Sequence, residues 1–154
     1  MQAWHDFFLS EKNLDLTPEE IRRRCIGPGT MDIFRDFFGN TLSPAKMDEL
    51  CERKEECYRA AVREKKENMA LRKGAPEFLD RLAAQNFPFV LATASPKSNV
   101  EFYLSELGLS RWFKLTDIVY EDGLRPGKPD PAFYLEAVRR AGVSPPGAWS
   151  QRTP

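Results

Sequence analysis

Hydrophobic residues recur at helical spacing through residues 1–70. The first predicted helix has one apolar face, made of Ala3, Trp4, Phe7 and Phe8. Thr17–Glu20 is a complete helix start, with a threonine N-cap, a proline at the first position and a capping-box glutamate. Thr30 and the Ser43-Pro44 pair begin two further helices. This half contains no convincing strand pattern, so we expect it to be all helical.

From Gly74 onward, short apolar runs alternate with amphipathic segments. We expect helices over Pro76–Gln85, Pro96–Leu107 and Pro131–Ala141, and strands over Phe87–Ala92 and Thr116–Tyr120. The nearly continuous apolar run of Phe87–Ala92 is typical of a strand that is covered on both faces. Helices and strands that alternate in this order predict an α/β fold with a parallel sheet.

Thr93, Ala94 and Ser95 follow the first predicted strand directly. Ser95 is a suitable N-cap, and Pro96 a suitable first residue, for the next helix. Thr93 is therefore expected at the carboxyl end of a strand, facing a helix N-terminus, where phosphoryl groups bind in parallel α/β sheets. An ordinary capped turn explains the same residues, and the local pattern leaves both interpretations open.

Lys128 stands between Gly127 and Pro129, just before the last predicted helix, which Asp130 caps. Glycine lets the backbone turn, whereas Pro129 and Pro131 restrict it on the other side. A lysine that is held rigidly in front of a helix N-terminus can neutralise a phosphate at the strand ends. We therefore interpret Lys128 as a candidate phosphate ligand.

The composition is typical of a globular protein with one domain, or with a small core and an inserted subdomain. Of the 154 residues, 42% are hydrophobic and 30% are charged. The 23 basic and 23 acidic residues balance, so nothing favours nucleic acid or an anionic membrane as a partner. No apolar run approaches the roughly 20 residues of a membrane-spanning helix, and the N-terminus has no signal-peptide pattern. We expect a cytoplasmic protein.

The cysteines and the histidine do not form a recognisable site. Cys25, Cys51 and Cys57 lack CxxC spacing, which favours reduced thiols in a cytosolic protein over a zinc site. His5 has no cysteine or histidine nearby, and we interpret it as a surface or packing residue.

Two stretches, LATAS (91–95) and GKPDPAFY (127–134), together resemble the second and third motifs of the haloacid dehalogenase-like superfamily, in particular its β-phosphoglucomutase-like phosphatases. The 35-residue separation of Thr93 and Lys128 fits that family, as does the segment Arg72–Leu82. The resemblance covers nearly the whole chain. It implies a partial Rossmann-like α/β core with a parallel sheet over residues 73–154 and an α-helical cap subdomain over residues 1–72.

The resemblance also implies roles for three residues. Thr93 and the N–H group of Ala94 would bind the oxygens of the transferring phosphoryl group, and Lys128 would stabilise charge on that group and on the attacking carboxylate. In the family an aspartate becomes an aspartyl-phosphate, a second aspartate two residues on protonates the leaving group, and Mg²⁺ bridges them. The implied substrate is a small phosphorylated metabolite.

The chain departs from the family pattern near both ends. The nucleophile motif DxDGT is absent, and PPGAWSQRTP (145–154) stands where an acidic pair for Mg²⁺ is expected. We interpret the Glu121-Asp122 pair as a turn instead of a metal site. These departures predict a chain that is truncated at both ends, lacks ligands for Mg²⁺ and is inactive alone. The missing first strand would leave an edge of Phe87–Ala92 unpaired, which predicts marginal stability as a monomer and self-association through that edge.

Two functional hypotheses therefore stay open. The first is a sequence derived from a Mg²⁺-dependent phosphatase or phosphomutase that is catalytically inactive in this form. The second is a non-catalytic protein that binds a phosphorylated ligand or has a regulatory role. A generic helical interaction module, in which Lys128 is merely structural, is disfavoured by the two motifs.

Overall fold

The computed structural model describes residues 1–26, 30–64, 69–122, 124, 128 and 130–144. The chain divides into two compact units, Met1–Asn68 and Met69–Pro154. The described part of the first unit contains the helices α1 (Gln2–Lys12), α2 (Pro18–Cys25), α3 (Thr30–Phe38) and α4 (Pro44–Glu64). The described part of the second contains α5 (Ala75–Ala84), β1 (Leu91–Pro96), α6 (Lys97–Glu106), β2 (Ile118–Glu121) and α7 (Pro131–Ala141), with 3₁₀ turns at Leu109–Arg111 and Leu115–Asp117.

The helix starts of the first unit follow the sequence pattern. The Thr17 hydroxyl accepts a hydrogen bond from the Glu20 N–H (3.3 Å), and the Thr17 N–H donates to the Glu20 carboxylate (2.8 Å). At the start of α4 the Ser43 hydroxyl accepts from the Lys46 N–H (3.2 Å). Both predicted N-caps are confirmed, because these side chains satisfy N–H groups that the helix itself leaves without partners. The sequence Gly27-Pro28-Gly29 predicts a turn after α2, and this segment lies outside the described residues.

Aromatic rings from α1 and α3 form the core of the first unit. Phe8 and Phe37 have ring centroids 4.0 Å apart, and Phe7 and Phe34 are 5.3 Å apart. The buried residues of this core are Trp4, Phe7, Phe8, Leu16, Ile21, Cys25, Ile33, Phe34, Phe37 and Leu50. The apolar faces of short helices thus supply the burial that stabilises this unit.

Helix α4 buries Leu50 and packs the half-buried Met47, Cys51 and Cys57 against this core. These four residues recur at helical spacing in the sequence, which predicts a packing face, and the structure confirms that prediction. No helix in the described residues is both long and apolar enough to cross a lipid bilayer.

The three cysteines are free thiols, with Cys25 buried and Cys51 and Cys57 half-buried. Burial raises the pKa of all three thiols above the ordinary cysteine value. Among the described residues, no group of three or more His, Cys, Asp or Glu side chains is arranged to hold a metal ion. Because their pKa values are raised, a smaller fraction of these thiols is ionised, and they are less reactive than exposed cysteines.

His5 has a structural role in the first unit. Its Nδ1 atom lies 3.1 Å from an Asp6 oxygen, and its Nε2 atom lies 3.0 Å from an Asp15 oxygen. Hydrogen bonds to Asp6 and then Asp15 raise the pKa of His5. The imidazole thereby links α1 to the segment before α2.

The sheet of the second unit is parallel, with Leu91 opposite Ile118 and Ala92 opposite Val119. The predicted fold class, α/β with a parallel sheet, is confirmed. In the described residues the sheet has two strands, so each has one edge without a strand partner there. Self-association through that edge of β1 stays a prediction.

Both strands lie later in the chain than the sequence pattern indicated. β1 begins at Leu91 instead of Phe87, and Phe87 itself is 57% exposed, so the predicted cover on both faces is wrong for this segment. β2 begins at Ile118, because Thr116 belongs to a 3₁₀ turn. The reason is that a strand exists only where a second strand can pair with it, and pairing begins at Leu91 and Ile118.

Helix α7 is fixed to the start of β2 by Arg140. Its Nη1 atom donates hydrogen bonds to the carbonyl oxygens of Ile118 (2.7 Å) and Thr116 (3.2 Å). Glu136 orients this guanidinium, since its carboxylate accepts from Arg140 Nε (2.8 Å) and from Arg139. Hydrogen bonds from Arg139 and then Arg140 lower the pKa of Glu136 to about 2.

We expect this carboxylate to make folding stability depend on acid. Because the pKa of Glu136 falls from 4.5 to about 2 on folding, its contribution is fully present above pH 4.5 and is lost as the pH falls toward 2. In Glu136→Gln, the free energy of unfolding should depend less on pH within this window, as measured by urea denaturation at several pH values.

Glu101→Gln is the matched control. The Glu101 carboxylate lies 3.4 Å from Lys97, and its side chain is 53% exposed, so its removal should leave the acid dependence unchanged. Acid unfolding curves that coincide for wild type and Glu136→Gln would contradict the proposed role of Glu136.

Candidate functional site

A bulge interrupts β1 at the carboxyl end of the sheet. The pairing is regular up to Ala92, opposite Val119, and resumes at Pro96, opposite Glu121. Between these pairs β1 has three residues, Thr93–Ser95, whereas β2 has one. Bulges of this kind change the direction of side chains and are frequent beside active sites. The predicted position of Thr93 at the carboxyl end of a strand agrees with the structure.

A local hydrogen bond closes the bulge. The Ser95 N–H donates to the Thr93 hydroxyl oxygen at 3.1 Å. This contact spans two residues, which is the geometry of a serine/threonine turn. A hydroxyl that accepts this bond still has its own hydrogen to donate. Thr93 is half-buried, and Ala94, the middle residue of the bulge, is exposed.

Ser95 does not cap α6, which corrects the sequence prediction. The helix begins at Lys97, and its N-cap is Pro96, in extended conformation (φ −70°, ψ 168°) and without a side-chain cap. The Ser95 hydroxyl instead shares a hydrogen bond with the Tyr103 hydroxyl at 3.2 Å. Ser95 remains in β1 because the strand pairing continues to Pro96, so the helix starts later than the sequence pattern suggested.

Lys128 lies at the same end of β1. Its Nζ atom donates a hydrogen bond to the carbonyl oxygen of Ala92 at 2.8 Å, one residue before Thr93. The ammonium group also lies 5.5 Å from the ring centroid of Phe133 and 5.8 Å from that of Tyr134. An ammonium group has three hydrogens, so one bond to Ala92 leaves capacity for a further acceptor. The side chain is exposed and reachable by a ligand.

The structure thus brings Lys128 to the strand end that carries Thr93 and Ala94. Gly127 and Pro129, which the sequence analysis expected to hold the lysine rigidly, lie outside the described residues. The predicted cap of α7 is confirmed, because the Asp130 carboxylate accepts from the Ala132 N–H at 2.8 Å.

The described residues do not fit a magnesium site. Glu121 ends β2 and Asp122 follows it, so this pair lies at the same edge of the parallel sheet as the bulge. Asp122 accepts a hydrogen bond from the Leu124 N–H at 3.0 Å, as in a turn. Mg²⁺ needs a near-octahedral set of oxygen ligands, and no group of three candidate side chains meets here among the described residues.

Sequence reasoning missed two partners in this arrangement. The carbonyl of Ala92, which binds Lys128, has no sequence signal because every residue has a carbonyl group. Tyr103, which binds Ser95, lies eight residues further on, and only the packing of α6 brings it back. The Thr-x-Ser spacing of Thr93 and Ser95 could have indicated the turn within the bulge.

Comparison with known proteins gives concordant matches. Residues 6–147 match the haloacid dehalogenase-like hydrolases as a family. A phosphoglycolate phosphatase of Pseudomonas savastanoi pv. phaseolicola is 30% identical over 139 residues, and a phosphorylated carbohydrates phosphatase of Thermotoga maritima is 32% identical over 72 residues. The crystal structure of an Entamoeba histolytica HAD hydrolase (family IA, variant 3) superposes with a TM-score of 0.80 at 26% identity.

The matches cover different shares of the proteins involved. The Pseudomonas match covers 90% of this chain and 50% of the relative, and the Thermotoga match covers 47% and 32%. The Entamoeba match covers 92% of this chain and 62% of the other. The chain therefore spans half or less of the length of the two phosphatases that it resembles.

Proposed function

The chain belongs to the haloacid dehalogenase-like hydrolases, and we propose that its second unit provides the phosphate-binding part of a phosphatase site. The main observation is the hydrogen bond from Lys128 Nζ to the carbonyl of Ala92 at 2.8 Å. It holds a positive charge beside the bulge of Thr93 and Ala94. We propose that Lys128, Thr93 and Ala94 together bind the oxygens of one phosphoryl group.

Each residue supplies a different interaction. Lys128 compensates the negative charge of the phosphoryl group, and the rings of Phe133 and Tyr134 stabilise the ammonium group. Thr93 donates its hydroxyl hydrogen, because its oxygen already accepts from Ser95. The Ala94 N–H is a third donor in the exposed middle of the bulge. Phosphoryl transfer depends mainly on such positioning and charge compensation.

We further propose that these 154 residues bind phosphate but do not hydrolyse phosphate esters by themselves. The sequence contains no DxDGT motif, so the family's aspartate nucleophile has no counterpart in it. Mg²⁺ supplies further charge compensation in the family, but the described residues do not fit it.

Support for the ligand class comes from the relatives. Two of them are named for the hydrolysis of phosphoglycolate and of phosphorylated carbohydrates. We propose a small phosphorylated metabolite as the ligand of this chain. The cytoplasmic location, and the expectation that nucleic acid and membranes are not partners, stay predictions.

A second candidate function is a non-catalytic one. A chain that binds a phosphorylated metabolite without hydrolysing it can act as a regulatory protein. The bulge favours this candidate as much as the first, because both take Thr93, Ala94 and Lys128 as the phosphate ligands. For the 154-residue chain both candidates predict phosphate binding without hydrolysis, so measured hydrolysis would contradict both.

Lys128→Met is expected to weaken the binding of inorganic phosphate at least tenfold, about 1.4 kcal/mol, because it removes the positive charge. Isothermal titration of the 154-residue chain with sodium phosphate at constant ionic strength measures this change. Lys114→Met is the matched control, because this exposed lysine lies just before β2, at the opposite end of the parallel strands. It should leave phosphate affinity unchanged.

Equal losses in Lys128→Met and Lys114→Met would contradict a specific site, as would wild-type protein that binds no phosphate. Hydrolysis of p-nitrophenyl phosphate with added Mg²⁺ provides the second measurement. Turnover that disappears in Lys128→Met would contradict the proposed inactivity while supporting the position of the site.

A further inference from the structure

Tyr103 has a hydrogen bond that ties α6 to the bulge of β1. Its hydroxyl lies 3.2 Å from the Ser95 hydroxyl, and the two groups share a hydrogen bond. Tyr103 is half-buried and packs against the core of the second unit, which contains the fully buried Val100 and Ile118. Its ring also meets the Phe102 ring edge-on, with centroids 5.8 Å apart. The hydroxyl is therefore presented to Ser95 from a fixed ring.

The contact continues from Ser95 to the candidate phosphate ligand. The Ser95 N–H donates to the Thr93 hydroxyl oxygen at 3.1 Å. This bond determines which direction the Thr93 hydroxyl hydrogen can take, because one side of the oxygen is occupied. Ser95 thus links two groups: its side chain binds Tyr103, and its N–H binds Thr93.

The bulge needs such support more than a regular strand does. Three residues of β1 stand opposite one of β2, so Thr93–Ser95 lack the regular ladder that would fix them. Ala94 is exposed, and packing contributes little to holding it. Two hydrogen bonds through Ser95 contribute to fixing its shape.

We propose that Tyr103 is a positioning residue for phosphate binding, acting on Thr93 through Ser95. The inference rests on the proposed function, because it takes Thr93 as a phosphate ligand. Tyr103 itself does not touch the phosphate. It limits the conformations of the bulge, so that the Thr93 hydroxyl is oriented before the ligand arrives.

Tyr103→Phe tests this proposal, because it removes the hydroxyl and retains the ring. We expect phosphate affinity to fall about fivefold, the loss typical of one hydrogen bond. In a Thr93→Val background, Tyr103→Phe should cause no further loss, since the group through which it acts is already absent. A purely structural role would weaken binding equally in both backgrounds.

Tyr120→Phe is the matched control. Tyr120 is half-buried, belongs to the same unit and stands in β2 opposite the bulge. Its hydroxyl has no hydrogen bond to another described residue, so its removal should leave phosphate affinity unchanged. Equal losses in the two tyrosine variants, or an unchanged affinity in Tyr103→Phe, would overturn the proposal.

Hydrogen exchange of the Ser95 amide, followed by ¹H–¹⁵N spectra, separates this proposal from the proposed function. Tyr103→Phe should accelerate that exchange, because the Ser95 N–H to Thr93 bond weakens without its anchor. If the wild-type protein binds no phosphate, the proposed function is contradicted, and so is the role of Tyr103 in phosphate binding. Accelerated exchange would still show the link from Tyr103 to Thr93, and unchanged exchange would overturn that link.

Discussion

Phe34→Ala is expected to lower the free energy of unfolding by about 3–5 kcal/mol. The Phe34 side chain is fully buried, and its ring lies 5.3 Å from that of Phe7 and 6.0 Å from that of Trp4. Truncation to alanine removes these contacts and leaves a cavity that the neighbouring rings cannot fill completely. It also weakens the packing of α3 on α1. We expect this to be one of the two largest effects of a single substitution.

The measurement is urea denaturation, followed by circular dichroism and by tryptophan fluorescence. Phe87→Ala is the matched control, because it removes the same side chain from a position that is 57% exposed. It should change the free energy of unfolding by less than about 0.5 kcal/mol. A loss below about 1 kcal/mol in Phe34→Ala, or equal losses in the two variants, would contradict the described core.

Phe133→Ala is expected to have a comparable effect on the second unit, about 3–5 kcal/mol. Phe133 is fully buried in the first turn of α7, the helix that binds β2 through Arg140. Its ring also lies 5.5 Å from the Lys128 ammonium group. The substitution therefore removes both a core side chain and one of the aromatic faces beside the candidate phosphate ligand.

Leu135→Ala provides the control within the same helix. Leu135 is 53% exposed, so its truncation should cost less than about 0.5 kcal/mol. Both substitutions introduce alanine into α7, so the difference between them isolates burial from helix propensity. Urea denaturation measures both variants, and similar losses would contradict the packing of α7 through Phe133.

The N-caps and the buried helix faces were predictable because they depend on residues close in sequence. The threonine, proline and glutamate of Thr17–Glu20 satisfy the first N–H groups of α2 within a single turn. The same applies to Asp130 at the start of α7. Helical spacing of apolar residues likewise predicted which faces are buried, as for Phe7 and Phe8.

The strands were predicted in the right order but at the wrong residues. Apolar composition placed the first strand at Phe87–Ala92, whereas β1 runs from Leu91 to Pro96. Composition reports which residues can be buried, but a strand also requires a partner for its backbone groups. That partner is β2, some 20 to 30 residues later in the chain, and its register has no local signal.

The candidate site shows the same division. The sequence proposed Thr93, Ala94 and Lys128 as candidates, because the motif LATAS and the lysine of GKPDPAFY are local patterns. It assigned Ser95 to the cap of α6, since a serine before a proline is a common helix start. The Ser95 hydroxyl instead binds Tyr103, and strand pairing keeps Ser95 in β1. Neither contact has a signal in the local sequence.

The sequence by itself determined the starts of α2, α4 and α7, the α/β class and the family, and it proposed the three candidate phosphate ligands. Each depends on residue types a few positions apart, because those residues form the local hydrogen bonds and the buried face of one element. Only the tertiary structure decided the limits of the strands, the bulge at Thr93–Ser95 and the partners of Ser95 and Lys128. These depend on backbone groups and on side chains that are distant in sequence, and only the packing of α6, α7 and the two strands brings them together.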